Sequence, residues 1–242
     1  MKLITFAHAG GFGSYYRPLK VLACDSVQVI NYEYSGHAAR LHDPLFTDAS
    51  EALDFIYDEL FRNGINDDIV LFGHSLGAAT AMELAARLTL NGYGDQLAGL
   101  IVSGMLPPAY YKPCGVDLTK PAAVIKYLED LGGTQKSVAH NKAFMDMYLK
   151  IVTADLGLFD TYTFTVLEKP MRCFLKVLYA VDDKYLQPIS GMTEWAAFSE
   201  NYLNTVKFTG GHFYISEHWD SVIAETADLL KHAEKCRERM HG

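Results

Sequence analysis

Apolar residues fall into two patterns along this chain. Residues 3–7, 27–34, 69–72, 97–103, 171–181 and 205–209 form short runs rich in apolar and β-branched side chains. Runs of this kind predict strands of a sheet covered on both faces. Between them, apolar residues recur at three- and four-residue spacing. Residues 48–61 carry Ala49, Ala52, Leu53, Ile56, Tyr57 and Leu60, the stripe of an amphipathic helix, and Asn63-Gly64 supplies a stop. Residues 78–90 are dense in good helix formers and close at Asn91-Gly92. A helical start is expected at 16–22, a helix over 188–202, and a long terminal helix over 216–237. This alternation predicts an α/β fold with a mostly parallel central sheet and helices on both faces.

The rhythm changes at Leu106-Pro107-Pro108. From there to residue 168 no run of the central-strand type occurs. Helices are expected at 121–131 and at 141–153, where Phe144, Met145, Tyr148, Leu149 and Val152 make an apolar face, with Gly132-Gly133 as the break between them. The expected organisation is a single domain, 1–242, with a helical lid subdomain inserted at 106–168. The lid's methionines and aromatics suit an adaptable apolar lining.

The chain has 242 residues, half of them hydrophobic, which fits one α/β domain with a substantial core. The formal charge of −8 and the absence of a basic run argue against nucleic-acid binding. Cys24, Cys114, Cys173 and Cys236 form no C-x-x-C pair, so reduced thiols are expected, with neither a disulfide framework nor a zinc site. Met1 leads straight into an apolar run too short for a signal peptide, and no run approaches membrane-spanning length. A soluble cytoplasmic protein without membrane contact is the expectation.

The candidate chemistry centres on Gly73-His74-Ser75-Leu76-Gly77, a G-x-S-x-G motif between a predicted strand and a predicted helix. The turn is tight enough to hold Ser75 in a strained conformation with its hydroxyl clear of the sheet. Glycine at both ends lets strand and helix approach closely. Ser75 would sit at a helix N-terminus, with the Leu76 amide aimed at a tetrahedral oxyanion. A helix-capping serine is the plainer alternative.

The glycine-rich turn at 8–14 has two readings. Gly11-Phe12-Gly13 with Glu33 downstream suggests a dinucleotide-binding turn, but Tyr16 occupies the place of the third glycine. The turn could instead bring a second oxyanion donor over Ser75, which the G-x-S-x-G motif favours. A serine nucleophile needs a base. Among nine histidines, His212 follows a predicted strand and two glycines, on the side where Ser75 should emerge. His74 adjoins Ser75 in sequence and is read as structural; His8 lies in the glycine-rich turn and could buttress it. The acid that orients the base should lie past a strand end between the two. Asp182 and Asp183 both qualify; counting a G-x-x-D turn from Ala180 favours Asp183.

These motifs, together with His8-Ala9-Gly10-Gly11, Leu131-Gly132-Gly133, Ala154-Asp155 and Gly210-Gly211-His212-Phe213, resemble the type II thioesterases of nonribosomal peptide and polyketide synthase systems over nearly the whole chain. The resemblance implies an α/β-hydrolase fold with a helical lid. It implies hydrolysis of acyl or peptidyl thioesters on the phosphopantetheine arm of carrier-protein domains. Ser75 would be nucleophile, His212 base and Asp183 acid, with the amides of Ala9 and Leu76 as oxyanion hole. Asp155 matches a lid position to which a structural role is assigned. No metal and no organic cofactor is needed, the partner is a carrier domain, and a monomer is expected. Ala180 replaces a usual glycine and Ser35-Gly36-His37 stands in place of Pro-Gly-Arg. A small-molecule carboxylesterase or acyltransferase on the same fold is the alternative. A non-catalytic binding protein would need a reason to retain the intact Ser75, His212 and Asp183.

Overall fold

The structure is a computed structural model that describes residues 1–132 and 142–241. Its centre is a six-stranded sheet built from β1 (Lys2–Phe6), β2 (Gln28–Asn31), β3 (Ile69–His74), β4 (Leu97–Ser103), β5 (Met171–Ala180) and β6 (Ser199–Phe208). The order is β2-β1-β3-β4-β5-β6, and every neighbouring pair is parallel. All strand carboxyl ends therefore point the same way, so the turns that leave β1, β3, β5 and β6 gather on one edge. The chain runs outward from β1 to β2 and then back past β1 to β3, which opens a crevice where those two turns diverge.

Five α-helices accompany it among the described residues: α1 (Ala49–Phe61), α2 (Leu76–Leu88), α3 (Pro121–Leu131), α4 (Lys142–Thr161) and α5 (Trp219–His241). Alternate residues of β3 show how they are shared out. Phe72 packs on Tyr16, which in turn meets Trp219 of α5. Gly73, one residue on, turns to the other face and meets α2. All six residues of β3 are buried, as a strand covered on both sides requires. The Asp48 side chain caps α1 by accepting from the amides of Ser50 and Glu51 at 2.9 and 3.1 Å. The charge in the middle of β5 has a counterpart: Lys176 is fully buried and reaches Glu225 at 2.6 Å and Asp228 at 2.7 Å on α5. The lysine thus ties the terminal helix to the sheet.

Several boundaries differ from the expectation. The helix expected at 188–202 is a 3-10 helix only over Ile189–Phe198, and Ser199 already begins β6. As an edge strand, β6 pairs with β5 alone and keeps much of its length solvated, so it lacks a continuous apolar run. α4 continues to Thr161, two turns past 153; α2 closes at Leu88 and is followed by a π turn over Thr89–Tyr93. The terminal helix starts at Trp219, after a short 3-10 turn over Tyr214–Glu217. Between β4 and β5 the described residues form helices and turns and no strand. Gly133 of the expected break and Asn141 of the expected helix lie outside the described residues. Among the described residues no helix is long and apolar enough to cross a membrane.

The turn from β3 to α2 is the tightest junction in the molecule. A Cβ on Gly73 would stand 1.8 Å from the Gly77 carbonyl oxygen, and one on Gly77 would stand 2.0 Å from the Phe6 carbonyl oxygen. Both obstacles are backbone and cannot swing aside. We expect Gly73→Ala and Gly77→Ala each to lose about 3 kcal/mol or more, at or beyond the upper end for overpacked sites. Gly94→Ala, whose added Cβ meets nothing closer than 3.7 Å, should stay within about 0.5 kcal/mol of wild type. Urea unfolding of the three variants measures the difference.

Candidate active site

Ser75 is the first residue after β3 and caps α2. Its backbone stands at φ 56°, ψ −117°, a conformation foreign to a residue with a Cβ. Holding it there costs about 1–3 kcal/mol. The surrounding bonds supply the restraint: the Ser75 amide donates to the Ser103 carbonyl at 2.9 Å, and the Ser75 carbonyl accepts from Ala78 and Ala79. The result is a half-buried hydroxyl on the wall of a cavity of about 280 Å³, which His8, Ala9, Tyr127, Phe159 and His212 also line.

His212 and Asp183 arrive on the turns after β6 and β5. His212 Nδ1 lies 2.7 Å from Asp183 Oδ2, with the carboxylate fully buried and the ring nearly so. The second carboxylate oxygen of Asp183 accepts from the Tyr185 amide at 3.0 Å, so the group is held from two sides. Asp182 points elsewhere and accepts from the Gly210 amide at 3.3 Å. With Nδ1 donating to a carboxylate, Nε2 is the nitrogen left for a proton from elsewhere. Among the described residues there is no hydrogen bond between Ser75 and His212, although both face the same cavity. Such contacts commonly close only around substrate.

Ala9, after β1, lines this cavity, and Leu76 opens α2 directly after Ser75. Among the described residues neither amide has an acceptor. The Gly13 amide, by contrast, donates to Glu33 Oε1 at 3.1 Å. The carboxylate that a dinucleotide ribose would need is thus bonded to the turn itself, and Tyr16 fills the position of the third glycine as a fully buried side chain.

Two further histidines pack around His212. His74 is buried, its ring centre 5.0 Å from that of His212, and its Nδ1 meets the Ser103 hydroxyl at 2.9 Å, which in turn meets Tyr214 at 2.6 Å. Burial, then the charge of His212, holds His74 well below the ordinary histidine range. The same two causes, in the same order, lower His8 to about 3. Both rings are therefore neutral at physiological pH and add no positive charge to the site. The Cys114 thiol on the cavity wall is pushed up to about 11, chiefly by burial, so it is not a thiolate nucleophile near neutrality.

One feature of the site was not foreseen as a unit. Asp155 of α4 and His37, from the turn after β2, form a buried pair at 3.0 Å, and the same Asp155 oxygen accepts the Gly10 amide at 2.7 Å. The sequence marks Asp155 only by resemblance and His37 only as a departure from the usual residue. A buried acid on a helix with a histidine 118 positions away carries no local signal.

A family model described as "Thioesterase domain" matches residues 1–230. The "Probable cadicidin biosynthesis thioesterase" of Streptomyces griseus is 30% identical over 230 residues, 95% of this chain and 62% of that protein. This chain thus spans less than two thirds of that relative. "Thioesterase PikA5" of Streptomyces venezuelae is 25% identical, over 95% of this chain and 81% of its own length. Among solved structures, the type II thioesterase BorB from the borrelidin biosynthetic cluster superimposes with a TM-score of 0.81 at 27% identity, covering 95% of this chain and 92% of that one. With the family model matched over nearly its full length, and with an α/β-hydrolase fold shared with its structural neighbours, this chain belongs to the thioesterase domain family.

Proposed function

We propose that this protein is a type II thioesterase that hydrolyses acyl or peptidyl thioesters on the phosphopantetheine arm of carrier proteins in natural-product biosynthesis. The observation that carries the reading is the 2.7 Å contact of Asp183 with His212 Nδ1, beside a cavity that Ser75 enters from a strained turn. The cadicidin-biosynthesis relative and the borrelidin-cluster neighbour, each named a thioesterase, support the substrate class.

In this mechanism the Ser75 hydroxyl attacks the thioester carbonyl while His212 Nε2 takes its proton. Asp183 holds the ring in the tautomer that leaves Nε2 free and stabilises the imidazolium that forms. The unpaired amides of Ala9 and Leu76 receive the oxyanion of the tetrahedral intermediate. Collapse breaks the C–S bond, and the pantetheine sulfur leaves with the proton from His212. Water then attacks the acyl-Ser75 ester, giving its proton to His212, and a second collapse frees the acid and restores the serine. His8 and His74, both held low by burial, add no positive charge beside the imidazolium that this step forms. Helices α3 and α4 act as a lid over the cavity, to which they contribute Tyr127 and Phe159, and their motion gates entry of the arm.

The direct test is the intact mass of an acetyl-loaded carrier protein over time. Loss of the acetyl mass with wild type and its retention with Ser75→Ala is the expected outcome. Retention with both, on longer acyl and peptidyl loads as well, would move the reading to free esters. A second comparison separates the two aspartates. Asp183→Asn should lower kcat by about 10³–10⁴-fold, as loss of the orienting carboxylate does in other triads. Asp182→Asn, which keeps an acceptor for the Gly210 amide, should retain near wild-type turnover. Equal losses in the two variants would remove Asp183 from the mechanism.

A further inference from the structure

The buried pair of Asp155 and His37 has no part in the steps above, yet it touches the turn that carries Ala9. Asp155 is 2% exposed and His37 1%. His37 Nδ1 lies 3.0 Å from the Ser35 carbonyl and Nε2 lies 3.0 Å from Asp155 Oδ2. A carbonyl and a carboxylate only accept, so both ring nitrogens carry hydrogen and the ring is an imidazolium. Burial opposes that charge, but the hydrogen bond and the negative charge of Asp155 prevail and raise the pKa of His37. A buried ion pair of this kind is far costlier to leave half-made than to keep whole.

What Asp155 grips is a single peptide. The Gly11 amide donates to the His8 carbonyl at 2.8 Å, closing a turn with Ala9 and Gly10 at its centre. Gly10 has φ +72°, which a type II turn requires at its third position. The Gly10 amide, and with it the plane of the Ala9–Gly10 peptide, is fixed by the 2.7 Å bond to Asp155. The grip comes from α4, whose Tyr148, Val152 and Asp155 share one helical face. A Cβ on Gly10 would stand 2.5 Å from Val152 Cγ2 and 2.9 Å from the Tyr148 hydroxyl. The turn therefore lies directly against the helix.

We propose that Asp155, paired with His37, is a positioning residue that aligns the Ala9 amide for the oxyanion, and that the alignment lasts only while α4 is seated on the turn. This rests on the roles given above to Ser75 and Ala9. Lifting α4 to admit substrate breaks the Asp155–Gly10 bond; reseating it restores the donor. The lid's position and the electrophilic half of the site become one equilibrium.

The test pairs turnover with binding of an alkylboronic acid, whose tetrahedral adduct on a serine puts an oxygen where the oxyanion forms. Asp155→Ala should lower kcat and weaken boronate binding in parallel, by about 10–100-fold, a misaligned rather than deleted donor, with KM little changed. Asp155→Asn keeps an acceptor for the Gly10 amide and should recover most of both. If Asp155→Ala does not fold, Gly10→Ala keeps the ion pair while pushing the turn off α4, and the same parallel loss is expected. Wild-type kcat and boronate affinity in a folded Asp155→Ala or Gly10→Ala variant would overturn the proposal, as would a fall in kcat with boronate affinity unchanged. Ser75→Ala distinguishes the two levels of inference. Boronate binding that survives Ser75→Ala sinks the serine reading and this proposal with it. Binding that depends on Ser75 but not on Asp155 or Gly10 sinks this proposal alone.

Discussion

The whole site depends on a steric allowance at one turn. Ser75 occupies a backbone conformation that residues with a Cβ avoid, and it stays there because β3, α2 and the end of β1 meet at backbone contact distance. Two missing methyl groups make that meeting possible. The parallel sheet turns this local strain into a site: it sends the ends of β1, β3, β5 and β6 to one edge, where a donor turn, a strained serine, an acid and a histidine converge. None of these groups is near the others in sequence, and no single helix or strand carries two of the three proposed triad members.

Electrostatics then sorts the histidines. His74 packs against both His8 and His212, and of these three imidazoles His212 is the one with a carboxylate partner. Burial first, then the neighbouring imidazole charge, holds the other two well below the ordinary histidine range. His37, a fourth imidazole beside the turn that carries Ala9, is the reverse case: equally buried, but with its pKa raised because Asp155 faces it. Burial opposes charge on His74 and His37 alike; the Asp155 carboxylate is what sends His37 the other way.

Much of this arrangement was legible along the chain. The β3 run and its flanking glycines announced the strand, turn and helix, since a buried parallel strand and a close approach each leave a compositional mark. Asp183 over Asp182 followed from turn counting, and the structure turns only Asp183 toward His212. What escaped was whatever depends on two distant segments or on partial exposure. β6 was read short because an edge strand mixes Glu200, Asn201 and Asn204 with its apolar residues. The Asp155–His37 pair escaped because a buried charge looks, in sequence, like any exposed one until its partner is located. Lys176 gave a visible hint of that kind, a charge set between apolar stretches of one run, and its partners on α5 were equally silent.

The position of β6 has a consequence for durability. Ser75 hangs from the central strand β3, paired on both sides, whereas His212 hangs from an edge strand bonded on one side only. Glu200 and Lys207, exposed along that edge, resist its extension by a foreign strand, because joining would strip water from both charges. The strand itself pairs with β5 along its ten residues, whereas the opposite edge, β2, has only four, so the His212 turn rests on the better-held of the sheet's two margins.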